Sequence, residues 1–221
     1  MNNALVIGSS GGIGMALAEA LVERGARVTR ISRSDDGLDL LDPASILRVM
    51  GALQGPFDAV LVATGILAPN GMGPERALAA LDGSAMAEVM QVNAIGPALI
   101  LRHMPRLLPR RGRSVLGVLS ARVGSIGDNH LGGWHSYRAS KAALNQMIRG
   151  AAIELARSHR EAVVAALHPG TVATPFTASY SPPYEKLLPQ EAARRLLAVL
   201  DRLTPEHTGR FWDHEGREVP W

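Results

Sequence analysis

Hydrophobic positions along the chain form short apolar runs, separated by longer stretches with helical spacing. Short runs of this kind are typical of parallel strands that are buried on both faces of a sheet. They predict strands at 4–7, 27–31, 58–63, 114–120, 163–167 and 210–212. The chain therefore begins with a strand and continues with regularly spaced further strands.

The stretches between these runs predict helices at about 13–24, 43–53, 84–108, 136–158 and 190–203. In the fourth stretch Leu144, Ile148 and Ala151 recur at steps of four and three residues, which gives the helix one apolar face. The alternation of strands and helices predicts an α/β fold, a Rossmann-type doubly wound parallel sheet in a three-layer α/β/α arrangement. Because no linker or repeat divides the pattern, we expect a single domain over 1–221.

Composition narrows the class of protein. A chain of 221 residues with 47% hydrophobic and 19% charged residues is suited to one globular domain. The net charge is only +3 and no block of Lys or Arg is present, so we expect no nucleic-acid partner. The absence of Cys and of His ligand spacing argues against a metal site. The N-terminal apolar run ends at Gly8, too early for a signal peptide or a membrane span, and we expect a cytoplasmic protein without a membrane partner.

A glycine-rich turn follows the first predicted strand and leads directly into a helix. Its glycines, Gly8, Gly12 and Gly14, have the spacing GxxxGxG. Residues without a Cβ allow the backbone to approach a pyrophosphate, whose charge is favoured by the N–H groups at the start of a helix. The motif predicts a dinucleotide site, although glycines also occur in ordinary turns.

The end of the second predicted strand bears on the choice of coenzyme. Arg33 stands where a guanidinium would pair with the 2′-phosphate of NADP, whereas a carboxylate there would bind the ribose of NAD. We therefore expect NADP. Asp35 and Asp36 follow closely and could contact a ribose, which keeps NAD as an alternative.

Tyr137 and Lys141 form the most specific pair in the sequence. Positions four apart share one face of a helix, so the ammonium of Lys141 can lie beneath the Tyr137 phenol. A nearby positive charge lowers the pKa of a phenol, which allows tyrosine to act as an acid or base. Only two lysines occur in the chain, Lys141 and Lys186, so a chance match is rare, although a surface pair remains possible.

Taken together, the glycine turn, Asn93, the Tyr137/Lys141 pair and the segment 169–174 resemble the short-chain dehydrogenase/reductase family over essentially the whole chain. The long loop at 124–134 and the chain ending at 209–221 resemble its C-factor-like and sniffer-type carbonyl reductase branch.

The resemblance implies roles for individual residues. Tyr137 would be the catalytic acid/base, Lys141 would lower its pKa and hold the nicotinamide ribose, and Asn93 would help to hold a proton-relay water. Asp39 and Leu40 would contact the adenine, and Val172 and Thr174 the nicotinamide carboxamide. The remaining implied cofactor contacts are Gly8, Ser10, Gly12, Ile13, Gly14, Ala63, Gly65, Pro169 and Gly170.

The sequence departs from the family pattern in two places. Val62-Ala63-Thr64-Gly65 replaces the common Asn-Asn-Ala-Gly, which puts side-chain bracing there in doubt. Ala121 occupies the position of the serine that usually polarises the substrate carbonyl. Strand alternation should direct Ser120 to the opposite face of the sheet. Ser125 lies twelve residues before Tyr137, close to the separation usual in the family, so the resemblance implies Ser125 as the carbonyl donor, with a loop cap as its alternative role.

These observations predict an NAD(P)-dependent oxidoreductase that transfers hydride between the nicotinamide and a small carbonyl or alcohol substrate. The alternative is a non-catalytic, nucleotide-binding regulatory protein on the same fold. We expect a short substrate lid at about 175–189. We also expect a homodimer or homotetramer, assembled through outer helix faces that include Met86, Met90, Leu101 and Met147.

Overall fold

A computed structural model describes residues 1–69, 71–178, 180 and 182–221. Six parallel strands form one sheet in the order β2-β1-β3-β4-β5-β6. The strands are β1 (Asn3–Ile7), β2 (Arg27–Ile31), β3 (Ala59–Val62), β4 (Ser114–Leu119), β5 (Ala162–His168) and β6 (Arg210–Asp213). The strand order reverses between β1 and β3, and in such sheets ligands bind at the carboxyl ends of the strands beside that reversal.

Helices cover both faces of the sheet. They are α1 (Gly12–Glu23), α2 (Arg33–Asp36), α3 (Pro43–Ala52), α4 (Gly83–Met90), α5 (Gly96–Leu101), α6 (Met104–Leu107), α7 (His135–Leu155) and α8 (Pro189–Arg202). The predicted Rossmann-type doubly wound sheet in a single domain is confirmed, and the predicted strands lie within two residues of the observed bounds.

The core has two halves because successive strand residues face opposite sides of the sheet. Leu5 and Ile7 of β1 pack in one cluster with apolar side chains of α3, α5 and α7. Ala4 and Val6 pack in the other cluster with side chains of α1 and α8. The active-site helix α7 is therefore fixed to the sheet by its buried face, which includes Leu144 and Ile148.

The prediction of a single helix at 84–108 is wrong, because this region contains several separate helical segments. A π-helical turn, Gln91–Ile95, separates α4 from α5, and α6 follows after a further break. Pro97 has no amide to bond the carbonyl of Asn93, so a regular α-helix cannot continue through this point. The turn buries Asn93 completely, and π-turns inside helices are frequent at functional sites.

The same helical region corrects one expectation about the molecular surface. Leu101 does not lie on an outer face, because its side chain is buried in the core beside Ile100. Met147 is half exposed, and Met86 and Met90 are partly buried. By length and composition the stretch Gly83–Leu101 could also cross a membrane, and 44% of its most apolar 18-residue window is buried inside the protein.

Candidate active site

The glycine turn forms a tight cradle between β1 and α1. Gly8 has a φ of 87°, and a Cβ added there would lie 2.7 Å from the carbonyl oxygen of Ala63. A Cβ on Gly14 would lie 2.1 Å from the carbonyl oxygen of Gly8. No side chain caps the first turn of α1 within the described residues, so its N–H groups remain available to an anion. The cradle fits a pyrophosphate.

The structure brings distant parts of the chain to this cradle. A Cβ on Gly12 would meet the Thr174 Cγ2 methyl at 2.6 Å, so Thr174 lies against the glycine turn, and its expected contact with the carboxamide stays a prediction. Ser10 is exposed and Ile13 is half-buried at the same turn. The Cγ2 methyl of Thr64 lies beside Gly8, and the buried Thr64 hydroxyl has no hydrogen-bond partner among the residues described.

At the proposed adenosine end, Arg33 is exposed as the first residue of α2 and forms no ion pair within the described part of the chain. The Asp36 carboxylate accepts the Ser32 N–H at 2.8 Å, and the Asp35 carboxylate accepts the Ser32 hydroxyl at 3.0 Å. Both acids are therefore engaged within their own turn, while the guanidinium is available to a ligand.

Asp39 and Leu40 lie at the connection that leads into α3. The Asp39 Oδ1 accepts the N–H of Leu41 at 2.9 Å, so part of its hydrogen-bonding capacity is used by the turn. Leu40 is buried, its side chain packs against Gly96, and its carbonyl accepts Gln91 Nε2 at 3.2 Å. The side chain of Leu40 therefore contributes apolar packing at this end of the site.

Tyr137 and Lys141 lie one turn apart on α7, and both are buried. The Lys141 Nζ lies 5.9 Å from the centre of the Tyr137 ring and donates to the carbonyl of Leu119 at 3.1 Å. Burial lowers the pKa of Lys141 to about 8. Burial also raises the pKa of the Tyr137 phenol, opposite to the direction expected from the pair alone. The loss of hydration outweighs the ammonium at this distance.

Asn93 joins three elements through its side-chain amide. Its Oδ1 accepts the Ile66 N–H at 2.8 Å, and its Nδ2 donates to the Ile66 carbonyl at 2.8 Å and to the Ser140 hydroxyl at 3.0 Å. A Cβ on Gly65 would lie 3.1 Å from Asn93 Oδ1 and 3.4 Å from Lys141 Nζ. Gly65, Asn93 and Lys141 therefore meet at one point, and Asn93 fixes the loop after β3 to α7.

The serines near the missing donor have different partners. Ser120 donates to Asn145 Oδ1 at 2.6 Å, so its hydroxyl hydrogen is already engaged. Ala121 is buried at the start of a 3₁₀ turn, Arg122–Gly124. The Ser125 Oγ accepts the Asp128 N–H at 3.1 Å, the contact expected of a loop cap. Its hydroxyl hydrogen has no acceptor in the described residues, so the predicted carbonyl-donor role stays a prediction.

The segment after β5 leads from the end of the strand to Thr174 at the glycine turn. Gly170 adopts a φ of 80°, and Pro169 precedes it directly after the strand. Val172 pairs with Leu187 in an isolated parallel bridge, which anchors the expected lid at 175–189. The lid residue Phe176 places its ring 6.0 Å from that of Tyr137. Positions 179 and 181 of the expected lid lie outside the described residues.

Aromatic side chains that the sequence analysis did not single out enclose the Tyr137 phenol. Trp134 packs edge-on at 6.3 Å from Tyr137 and at 5.3 Å from Tyr180. Trp134 has a φ of 51°, which is unusual for a bulky residue. The position of Trp134 directly before the helix that carries Tyr137 is the sequence feature that could have indicated its place in the site. These rings give the site an apolar entrance.

Comparisons with known proteins agree with this geometry. The family described as Enoyl-(Acyl carrier protein) reductase matches residues 7–210. The chain is 30% identical over 236 residues to the 1-hydroxy-2-glutathionyl-2-methyl-3-butene dehydrogenase of Rhodococcus sp. (strain AD45), covering 100% of both chains. It is 39% identical over 171 residues to the C-signal of Myxococcus xanthus, covering 76% of this chain and 94% of that protein.

Among solved structures, a short-chain dehydrogenase/reductase from Burkholderia multivorans with bound NADP superposes with a TM-score of 0.84. It is 27% identical in sequence, and the match covers 100% of this chain and 99% of the other. Sequence motifs, fold and relatives therefore agree, and the chain belongs to the short-chain dehydrogenase/reductase family of oxidoreductases.

Proposed function

We propose that the protein uses NADP to interconvert a carbonyl and an alcohol, with Tyr137 as the residue that donates or accepts the proton. The observation that carries this proposal is the buried Tyr137/Lys141 pair on α7, with Asn93 and Gly65 meeting the ammonium. The bound coenzyme supplies the hydride, and the protein supplies position and proton.

The proposed coenzyme contacts follow from the cradle and its surroundings. The turn from Gly8 to Gly14 would hold the pyrophosphate, and Arg33, which forms no ion pair with any residue that the structure describes, would hold the 2′-phosphate of NADP. Lys141 would bind the nicotinamide ribose, and Thr174 would contact the carboxamide. The NADP-bound Burkholderia structure supports this choice over NAD.

Tyr137 is proposed as the proton donor when a carbonyl is reduced. Because burial raises the pKa of its phenol, the group keeps its proton at neutral pH and can transfer it to a developing alkoxide. Lys141 places a positive charge near the ring and favours any negative charge that develops there. Ser125 is the proposed donor to the carbonyl oxygen.

The non-catalytic alternative predicts altered residues at these positions. Tyr137, Lys141 and Asn93 are all present and are buried close together, and the comparisons give the alternative no support.

The proposed setting is a cytoplasmic homodimer or homotetramer that acts on a small molecule. Half-exposed apolar side chains, Ile95 in the π-helical turn and Met147 and Ile153 on α7, support burial against a second copy. Light scattering of the purified protein at micromolar concentration tests this assembly, and a monomer there would contradict it.

A binding and turnover screen tests the proposed reaction. Purified protein is titrated with NADPH and NADH and then assayed over a panel of aldehydes and ketones. We expect tighter binding of NADPH and oxidation of NADPH that depends on the carbonyl. Binding without turnover across the panel would instead favour the regulatory alternative.

A further inference from the structure

Glu75, in the loop between β3 and α4, is hydrogen-bonded to the start of α7. The Glu75 carboxylate accepts the Ser136 backbone N–H at 3.2 Å and also accepts the Ser136 hydroxyl in a short hydrogen bond. The Glu75 carbonyl accepts the N–H of Trp134. Side chain and backbone of one residue thus hold both residues that flank the first position of α7.

These contacts replace a cap that α7 lacks. Helix N-termini leave N–H groups without partners, and a side chain at the N-cap position usually accepts one of them. The N-cap residue here is Trp134, and it forms no such bond. Burial raises the pKa of Glu75, but hydrogen bonds, first that from the Ser136 hydroxyl, outweigh this effect and lower it. Because the Glu75 carboxylate accepts the Ser136 N–H in the first turn of α7, it lies at the positive end of the helix dipole.

The residue before α7 needs this support. Trp134 has a left-handed backbone, and Gly132 and Gly133 before it have φ values of 62° and 63°. A bulky residue in this conformation persists only where its surroundings fix it. The Glu75 carbonyl holds its amide, and Arg138 Nε donates to the Gly133 carbonyl at 2.9 Å. The constrained backbone directs the indole against the Tyr137 ring.

We propose that Glu75 is a positioning residue for proton transfer: it fixes Trp134 and Ser136, and thereby the orientation of the Tyr137 phenol, whose ring packs against Trp134. This inference rests on the proposed role of Tyr137. Glu75 touches neither substrate nor coenzyme in this proposal and acts only through the first turn of α7.

A residue that merely stabilises the fold would behave differently, and the chain offers a matched control. Asp82 lines the same cavity of about 430 Å³ as Glu75 and Ser136. Its carboxylate caps α4 by accepting the Ala85 N–H at 2.7 Å. Mutation of Asp82 therefore removes a helix cap in the same region. The helix that loses its cap is α4, whereas Tyr137 lies on α7.

The experiment compares Glu75→Ala, Glu75→Gln and Asp82→Ala in steady-state carbonyl reduction. We expect Glu75→Ala to lower kcat by about 10- to 100-fold, since misplacement by about 1 Å can have an effect of this size, while KM for NADPH is unchanged. Glu75→Gln should restore most of kcat, because its amide oxygen can accept the Ser136 N–H. Asp82→Ala should keep kcat within about threefold of the wild type even if its stability falls.

Hydrogen exchange of the peptide covering 130–140 gives a readout that does not need activity. We expect faster exchange there in Glu75→Ala and not in Asp82→Ala. If the wild type reduces no carbonyl but this exchange pattern appears, the proposed function fails and the link from Glu75 to α7 survives.

If Glu75→Ala does not fold, Ser136→Ala removes the hydroxyl bond alone and should lower kcat in the same way. Equal kcat or equal exchange in Glu75→Ala and Asp82→Ala overturns the inference, as does an unchanged kcat in a folded Ser136→Ala.

Discussion

The buried side chain of Lys141 should lower the free energy of unfolding of the protein. Lys141 is 3% exposed, and within the described residues its ammonium has one hydrogen bond, to the carbonyl of Leu119. Replacing it by methionine, which has a similar length and no charge, should therefore stabilise the fold. The same change should abolish turnover, because the positive charge beside Tyr137 is lost.

The magnitude follows from the pKa of Lys141, which burial lowers from 10.5 to about 8. At about 1.4 kcal/mol per pKa unit, burial of the charged form destabilises the folded protein by about 3 kcal/mol at neutral pH. Loss of the hydrogen bond to Leu119 offsets about 1 kcal/mol of the gain. We expect Lys141→Met to raise the free energy of unfolding by about 2 kcal/mol.

The stability difference between Lys141→Met and the wild type should depend on pH. The folded protein binds the lysine proton less tightly than the unfolded chain, so the wild type should become more stable as pH rises between about 8 and 10.5. The gain from Lys141→Met should therefore be complete below that window, and above it the variant should be about 1 kcal/mol less stable than the wild type because the hydrogen bond to Leu119 is lost.

Urea unfolding of both proteins without coenzyme, at neutral pH and near pH 10.5, measures this difference. Lys186→Met is the control, since Lys186 is less buried and its ammonium donates to the carbonyl of Thr177, outside α7. A Lys141→Met protein that is no more stable than the wild type at neutral pH would refute the reasoning, as would a gain that is independent of pH.

Two further predictions concern the coenzyme and the loop after β4. Arg33→Ala should remove a preference for NADPH over NADH worth about 1.5–3 kcal/mol in titrations of both coenzymes, because one charge-assisted contact is lost; equal affinities in the wild type would contradict this assignment. Ser125→Ala should lower turnover by about 100-fold with coenzyme affinity nearly unchanged if its hydroxyl polarises the carbonyl. Ser120→Ala is the matched variant, and a loss there with a silent Ser125→Ala would mean that the loop is wrongly interpreted.

The parts of the site that depend on local periodicity could be predicted from the sequence. Tyr137 and Lys141 share a helix face because they are four residues apart, and the glycine turn lies between a strand and a helix because the apolar pattern changes there. Parallel strands then bring the turns that follow them to one edge of the sheet.

Other features depend on packing that no local pattern contains. The contact between Glu75 and Ser136 spans 61 positions and is determined by the path of an irregular loop. The direction of the Tyr137 pKa shift follows from complete burial, whereas the sequence indicated only the neighbouring charge. The π-helical turn around Asn93 follows from a missing amide at Pro97 combined with close packing against α7.

Tyr137→Phe tests the central claim most directly, because it keeps the buried ring and removes only the transferable proton. Coenzyme titration and single-turnover carbonyl reduction are measured on the same preparation. We expect NADPH affinity within about twofold of the wild type and a rate lowered by roughly 10²–10⁴-fold, the usual contribution of a general acid. A Tyr137→Phe protein that reduces carbonyls at nearly the wild-type rate would contradict the assignment of Tyr137 as the proton donor.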